Sequence, residues 1–291
     1  MTAAVVLSGT TVRIAGRTIL GPLDLSIGLG EQWVLLGPNG SGKTTALTLF
    51  GAWRQPFAGS VEVLGSRLGR VDVRQLRCRI GHVSHAVAER VPPELSVLDT
   101  VLTGRNATLV TWWQRFADED IAAARQLLAH VGCASLGARS LATCSLGERQ
   151  RVLIARALFG AHDLLLFDEP AAGLDLPARE LLVAAMSAAA AGVPTPTTVL
   201  ATHHLEEIPE TVSHAALLRD GLVVTAGRFA TCSWTTRCRH ASRCRSRWSN
   251  GTGAGARGGR AGDQSSSANA RASCSASSRV RLLYRIGLPR A

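Results

Sequence analysis

The chain has 291 residues, 46% of them apolar, enough to bury a substantial core as one large or two ordinary domains. No apolar run approaches the ~18 residues of a membrane span, and the start MTAAVVLSG lacks the charged and apolar regions of a secretion signal, so a cytoplasmic protein is expected. The net charge of +11 is not spread evenly: residues 1–227 hold 19 basic and 20 acidic side chains, whereas residues 228–291 hold 13 arginines and one acid, Asp263, which confines any nucleic-acid argument to the tail.

Val5 to Leu29 alternates apolar and polar residues about Ala15-Gly16-Arg17 and reads as a hairpin of half-buried strands. The apolar run Trp33 to Leu36 then leads into Gly37-Pro38-Asn39-Gly40-Ser41-Gly42-Lys43-Thr44, followed by the helix-like Thr45 to Phe50. A glycine-rich loop between a strand and a helix start is a phosphate cradle. Its glycines let successive N–H groups face the phosphates, and Thr44 offers a hydroxyl to Mg²⁺. Lys43 is the only lysine in the chain, at the one position where a compact ammonium must reach the β and γ phosphates. The expected nucleotide-binding set is therefore Gly37, Pro38, Asn39, Gly40, Ser41, Gly42, Lys43, Thr44 and Thr45.

Ser60 to Leu64 and Arg79 to Ser84 read as short strands. From Pro92 to Cys144 the pattern is helical, clearest over Ile121 to Val131, and predicts a helical insertion over about 86–145. Trp112 and Trp113 within it could either face a partner helix or pack in the helical core, the second being the default. Leu164 to Phe167 and Thr198 to Thr202 are continuous apolar runs suited to strands buried on both faces of a parallel sheet, and Pro177 to Ala191 is an alanine-rich helix ahead of Gly192. The body is α/β.

In an open parallel sheet, ligands bind beyond the carboxyl ends of the strands, and three motifs stand there: the phosphate loop, Asp168-Glu169 and Thr202-His203. Asp168 is expected to hold Mg²⁺, Glu169 to orient and deprotonate the attacking water, and His203 to meet the γ-phosphate or that water. Cys144-Ser145-Leu146-Gly147-Glu148-Arg149-Gln150-Arg151, placed just before the acidic strand, resembles the signature segment of ATP-binding cassette (ABC) transporter ATPases, and Ala172-Gly173-Leu174-Asp175 resembles their interface loop. The resemblance spans residues 5–227.

That resemblance implies a phosphate-loop NTPase with a RecA-like parallel-sheet core, an N-terminal antiparallel β subdomain and an inserted helical subdomain. It implies ATP and Mg²⁺ as ligands, with Ser145, Gly147 and Glu148 meeting the nucleotide of a second copy and Asp175 crossing the same interface. It also implies a separate transmembrane permease, no direct contact with the cargo, and a place on the cytoplasmic face of the membrane. Three departures stand out: Ile14 replaces the usual aromatic partner of adenine, His85 replaces the glutamine of the switch loop, and the signature carries Cys144, Leu146 and Glu148 for leucine, glycine and glutamine. Two alternatives are a catalytically weak regulatory cassette and a soluble cassette acting on ribosomes or nucleic acid. The second is disfavoured by the near-neutral body.

Beyond Arg228 periodicity stops and acids vanish. Read in the frame that takes the wobble base of one codon with the first two of the next, residues 231–246 permit DVLVDDALSACFALPV and 248–257 permit EQRDGRWSAR, so residues 228–291 are expected to be out of frame and disordered. Cys232, Cys238, His240 and Cys244 fit none of the common zinc spacings, and free thiols are expected throughout.

Overall fold

The structure, a computed structural model, describes residues 3–106, 115–191 and 195–229. The expectations for Trp112, Trp113, Gly192 and the tail cysteines, and all but the first two residues of the 228–291 segment, lie outside these.

Two strands, β1 (Ala3–Ile14) and β2 (Arg17–Gly28), form the expected hairpin. After β3 (Gln32–Leu36) and α1 (Lys43–Phe50), the chain adds β4 (Ala58–Val63) and the short β5 (Ser66–Arg67) to that hairpin, completing an antiparallel sheet of order β2-β1-β4-β5. Inward residues such as Val5, Leu7, Val61 and Val63 are buried, and alternate partners point to solvent, as a sheet with one covered face requires.

Next come α2 (Val73–Arg77), β6 (Ile80–Val83), α3 (His85–Ala88), α4 (Val97–Leu102) and α5 (Asp118–His130). Then follow α6 (Leu146–Leu158), β7 (Leu164–Asp168), α7 (Leu176–Ala190), β8 (Thr197–Thr202), β9 (His214–Arg219) and β10 (Leu222–Arg228). The central sheet has the order β10-β9-β3-β8-β7-β6. All its pairings are parallel except β9 with β10. Every residue of β3 and β8 is buried, because helices and the second sheet cover both faces. The β9–β10 hairpin carried no expectation: β10 is mostly exposed and lacks the apolar run that marks a buried strand.

Three apolar clusters hold the layers together. One lies between the two sheets around Leu35, Leu47 and Phe50. A second packs Val34, Phe167, Leu182 and Met186 beneath α7. The third is the helical layer, where Val97 and Val101 of α4 meet Leu127 and Leu128 of α5 and Val152 and Leu153 of α6. At ~25 cal/mol per Å² of apolar area, each such buried side chain contributes about 1.5–3 kcal/mol. The topology thus brings the carboxyl ends of β3, β7 and β8 side by side.

Candidate active site

The phosphate loop leaves β3 and enters α1 through backbone that only glycine tolerates. Gly42 caps α1 at φ 100°, and a methyl there would lie 2.7 Å from Leu20 Cδ1; one at Gly37 would collide with the Leu218 carbonyl. No side chain caps this helix and its first turn has no acid, so its leading N–H groups and the positive end of its dipole are left for an anion. Ser41 Oγ is buried with no hydrogen-bond partner, a further donor in the same cradle. The cleft above the loop has a volume of about 330 Å³ and is lined by Ile19, Asn39, Gly40, Gly42, Lys43, Thr44, Thr45 and Glu169.

Lys43 is 5% exposed, and its Nζ donates to the carbonyls of Gly37 (2.8 Å) and Pro38 (3.1 Å) while standing 3.7 Å from Glu169 Oε1. Thr44 Oγ1 donates to Asp168 Oδ1 at 3.1 Å. Burial pushes the Asp168 carboxyl above its ordinary range and Glu169 adds to that, while the Thr44 hydroxyl and Lys43 pull the other way. A hydroxyl and a carboxylate oxygen side by side suit Mg²⁺, a hard cation that keeps most of its water and needs few protein ligands.

Glu169 follows β7 at φ 46°, a conformation non-glycine residues seldom adopt, and its N–H is held by Ala201 O at 2.9 Å. From there its Oε1 meets His203 Nδ1 at 3.1 Å, from the end of β8. Lys43, Thr44, Asp168, Glu169 and His203 therefore converge, although 160 residues of chain separate the first from the last.

Sequence reasoning missed the support behind His203. Glu207, 2% exposed, accepts from Thr202 Oγ1 at 2.7 Å, and that oxygen accepts from His204 N at 3.0 Å, so the turn bearing His203 is pinned on both sides. It also missed Gln150, whose Nε2 donates to Pro170 O at 2.8 Å and ties α6 to the loop after Glu169. The only signal in sequence is a polar residue spaced a few positions from a motif, which is too common to single out.

The other expected residues lie apart from the cleft. Ser145 caps α6: its Oγ accepts from Glu148 N (3.2 Å), and its own N–H donates to Glu148 Oε2 (2.7 Å). That backbone hydrogen bond holds the Glu148 carboxyl below the usual range. Gly147 faces the Gly173 carbonyl, and neighbouring Leu146 is 72% exposed. Asp175 caps α7 by accepting from Ala178 N at 3.0 Å. The His85 side chain is 90% exposed at the start of α3 and pairs with Glu89 at 3.2 Å, in no contact with the cleft. Ile14, at the hairpin end, does not line the cleft; Ile19 does, because the strand after the turn passes closer to the loop. The three described cysteines, Cys78, Cys133 and Cys144, are free thiols.

A parallel-sheet core carrying a phosphate loop, with a carboxylate pair and a histidine on neighbouring strand ends, defines a phosphate-loop NTPase of the cassette type. Residues 20–172 match the family described as ABC transporter. A putative ABC transporter ATP-binding protein of Streptococcus mutans is 36% identical over 77% of this chain and 86% of that protein. A phosphonates import ATP-binding protein, PhnC of Anaeromyxobacter dehalogenans, is 37% identical over 72% of this chain and 44% of its own length. Among solved structures, the dimeric bacterial ABC transporter cassette MJ0796 superposes with a TM-score of 0.68 at 23% identity, covering 78% of this chain and all but 1% of that one. The chain belongs to the ABC transporter family as an ATP-binding ATPase subunit.

Proposed function

We propose that residues 1–227 form the working ATPase unit, which closes on a second copy around two MgATP and drives a separate membrane permease from the cytoplasmic face. The convergence of Lys43, Asp168, Glu169 and His203 carries this reading. Gly37 to Thr45 would bind the phosphates through backbone N–H groups, with Lys43 as the point charge. Mg²⁺ held by Thr44 and Asp168 would neutralise charge on the phosphates. Glu169 takes the proton of the attacking water, and His203 fixes the orientation of that carboxylate through Nδ1. A regulatory cassette would not need this base–histidine pair, which favours hydrolysis.

The signature residues support the dimer. Ser145, Gly147 and Glu148 line no part of this chain's own cleft, and exposed Leu146 lies beside Gly173 of the loop that ends at Asp175, a surface suited to a facing copy. No helix among the described residues is long and apolar enough to cross a membrane, so a spanning partner would be another polypeptide or lie outside them. Residues 228–291 are proposed to be read out of frame, which resequencing around codon 228 tests.

The decisive variant is Glu169→Gln, which keeps size and hydrogen bonding but removes the base. Turnover is expected to fall about 10²–10³-fold with ATP affinity kept, and size-exclusion chromatography with MgATP should show a trapped dimer. Unchanged turnover would remove Glu169 from its role.

A further inference from the structure

The outer part of the central sheet is covered on one face only. On β9, Ala216 and Leu218 are buried between the two sheets, whereas Ala215 and Leu217, which alternate with them, stay half-buried. The cluster beneath α7 reaches those two residues without covering them. Beyond them opens a groove of about 600 Å³, lined by Leu36, Ala215, Leu217, Val224 and Phe229, with Arg219 and Arg228 also in its walls. Val224 is 56% exposed. A strand that joins a parallel sheet normally has both faces covered, and an edge left apolar and open invites another element to pack on it.

The chain itself leaves the sheet at this place. Phe229, in the groove wall, follows β10 directly and is tied back by its N–H to Ser213 O at 2.7 Å, so whatever comes next starts beside the groove. The residues in the present frame do not suit it, because residues 228–291 carry 13 arginines against one acid and the walls already hold two arginines. Asp220 answers Arg219 at 3.5 Å, but both side chains are exposed, and such a pair contributes only about 0–1 kcal/mol.

The shifted frame supplies the opposite charge and an apolar stripe. Cysteine and tryptophan codons begin TG, and their thymine becomes the middle base of the shifted codon, which then specifies an apolar residue whatever the wobble base. This holds at Cys232, Trp234, Cys238 and Cys244. Tryptophan has the single codon TGG and threonine codons begin AC, so the shifted codon at position 235 is GAC, aspartate, without choice. In DVLVDDALSACFALPV the apolar positions 234, 238 and 242 recur at helical spacing beside 237, 241 and 244, with the aspartates at 235 and 236 away from them. A helix of about twelve residues is ~18 Å long and spans β3, β9 and β10, which lie ~4.8 Å apart. We propose that the groove is the seat of this acidic amphipathic helix, its apolar stripe on Leu217 and Val224 and its aspartates within reach of Arg219 and Arg228; the assignment rests on the out-of-frame reading of residues 228–291. Seated there, the helix backs β9, whose Leu218 carbonyl packs against Gly37 at the start of the phosphate loop.

The test adds a fluorescein-labelled synthetic peptide, DVLVDDALSACFALPV, to the full chain and follows fluorescence anisotropy. Saturable binding is expected, weakened at least about tenfold in Val224→Asp and about three- to tenfold when Arg219→Gln and Arg228→Gln are combined, with the salt dependence lost in that double variant. Val224 is exposed, so its replacement keeps the fold, which unchanged ATP binding by Val224→Asp verifies. The in-frame peptide TCSWTTRCRHASRCRS should not bind. Absence of saturable binding, indifference to Val224→Asp, or equal binding of the in-frame peptide would overturn the seat. Resequencing answers the other question separately: an intact frame at codon 228 would overturn the out-of-frame reading, and with it this source of the helix, whereas a shifted frame without peptide binding would overturn the seat alone.

Discussion

The proposed function gives two helix N-termini a part in phosphate chemistry, and they are finished in opposite ways. The start of α1 is capped by Gly42, with no side-chain hydrogen bond and no acid in its first turn. The start of α6 is closed by a reciprocal box between Ser145 and Glu148, which places a carboxylate in the first turn. The first end keeps its donors and dipole for a ligand; the second spends them on its own side chains. A helix end that must bind an anion alone is left bare. One that, on the proposed function, would meet an anion only when a second copy arrives needs to hold its shape meanwhile.

The largest effect should come from breaking the bare end. Lys43→Ala removes a buried ammonium held 2.8 Å from the Gly37 carbonyl, and ATP affinity is expected to fall at least about a hundredfold in direct calorimetric binding. Near-normal affinity would mean that the uncapped N–H groups alone suffice.

Glu207→Ala tests whether the cleft depends on support from outside it. Removing this carboxylate frees Thr202 and the turn that bears His203, so turnover should fall about tenfold while ATP affinity holds. Glu207→Gln, which can still accept from Thr202, should recover most of the rate; equal loss in both variants would point to charge rather than positioning.

At the capped end, Glu148→Gln keeps the box and removes the charge that a nucleotide on a facing copy would meet. ATP-dependent dimerisation should tighten by roughly two- to fivefold at low salt, and the gain should shrink as salt is raised. Weaker dimerisation, read by analytical ultracentrifugation, would show instead that the carboxylate organises the interface.

The smallest effect concerns the far end of α6. Burial lowers His82 to about 3 and His162 to about 4 from the ordinary 6.5, so the unfolded chain binds these protons first as pH falls. Stability from each neutral ring is therefore complete above about pH 6.5 and is lost on acidification towards the folded values, at up to about 1.4 kcal/mol per pH unit for each histidine. His162→Phe should flatten this acid limb of melting temperature against pH; an unchanged slope would mean that His162 is accessible to protons in the folded state.

How much of this could be read without coordinates depended on the range of the interactions. The strands β3, β7 and β8 were legible because burial on both faces forces unbroken apolar runs, and β10 was not, because an exposed edge strand carries no such pattern. The phosphate loop, Asp168, Glu169 and His203 were legible because each follows a strand in a spacing that its chemistry demands. That Ile19 lines the phosphate cleft was not, since which residue of a hairpin leans towards a loop depends on sheet twist and packing rather than on local preference.

By itself, then, the sequence determined the chemistry available: one lysine in a glycine loop, two carboxylates after a buried strand, and a histidine after the next. Backbone freedom, charge and hydrophobic periodicity are local properties, written residue by residue. Tertiary structure alone decided which of these groups meet. It joined Glu169 to His203 across neighbouring strands, braced that histidine with buried Glu207, and folded the signature box back on itself away from this chain's cleft. It also enclosed His82, Arg77 and Arg156 around one small cavity, because sheet order and helix packing bring together side chains that no spacing along the chain relates.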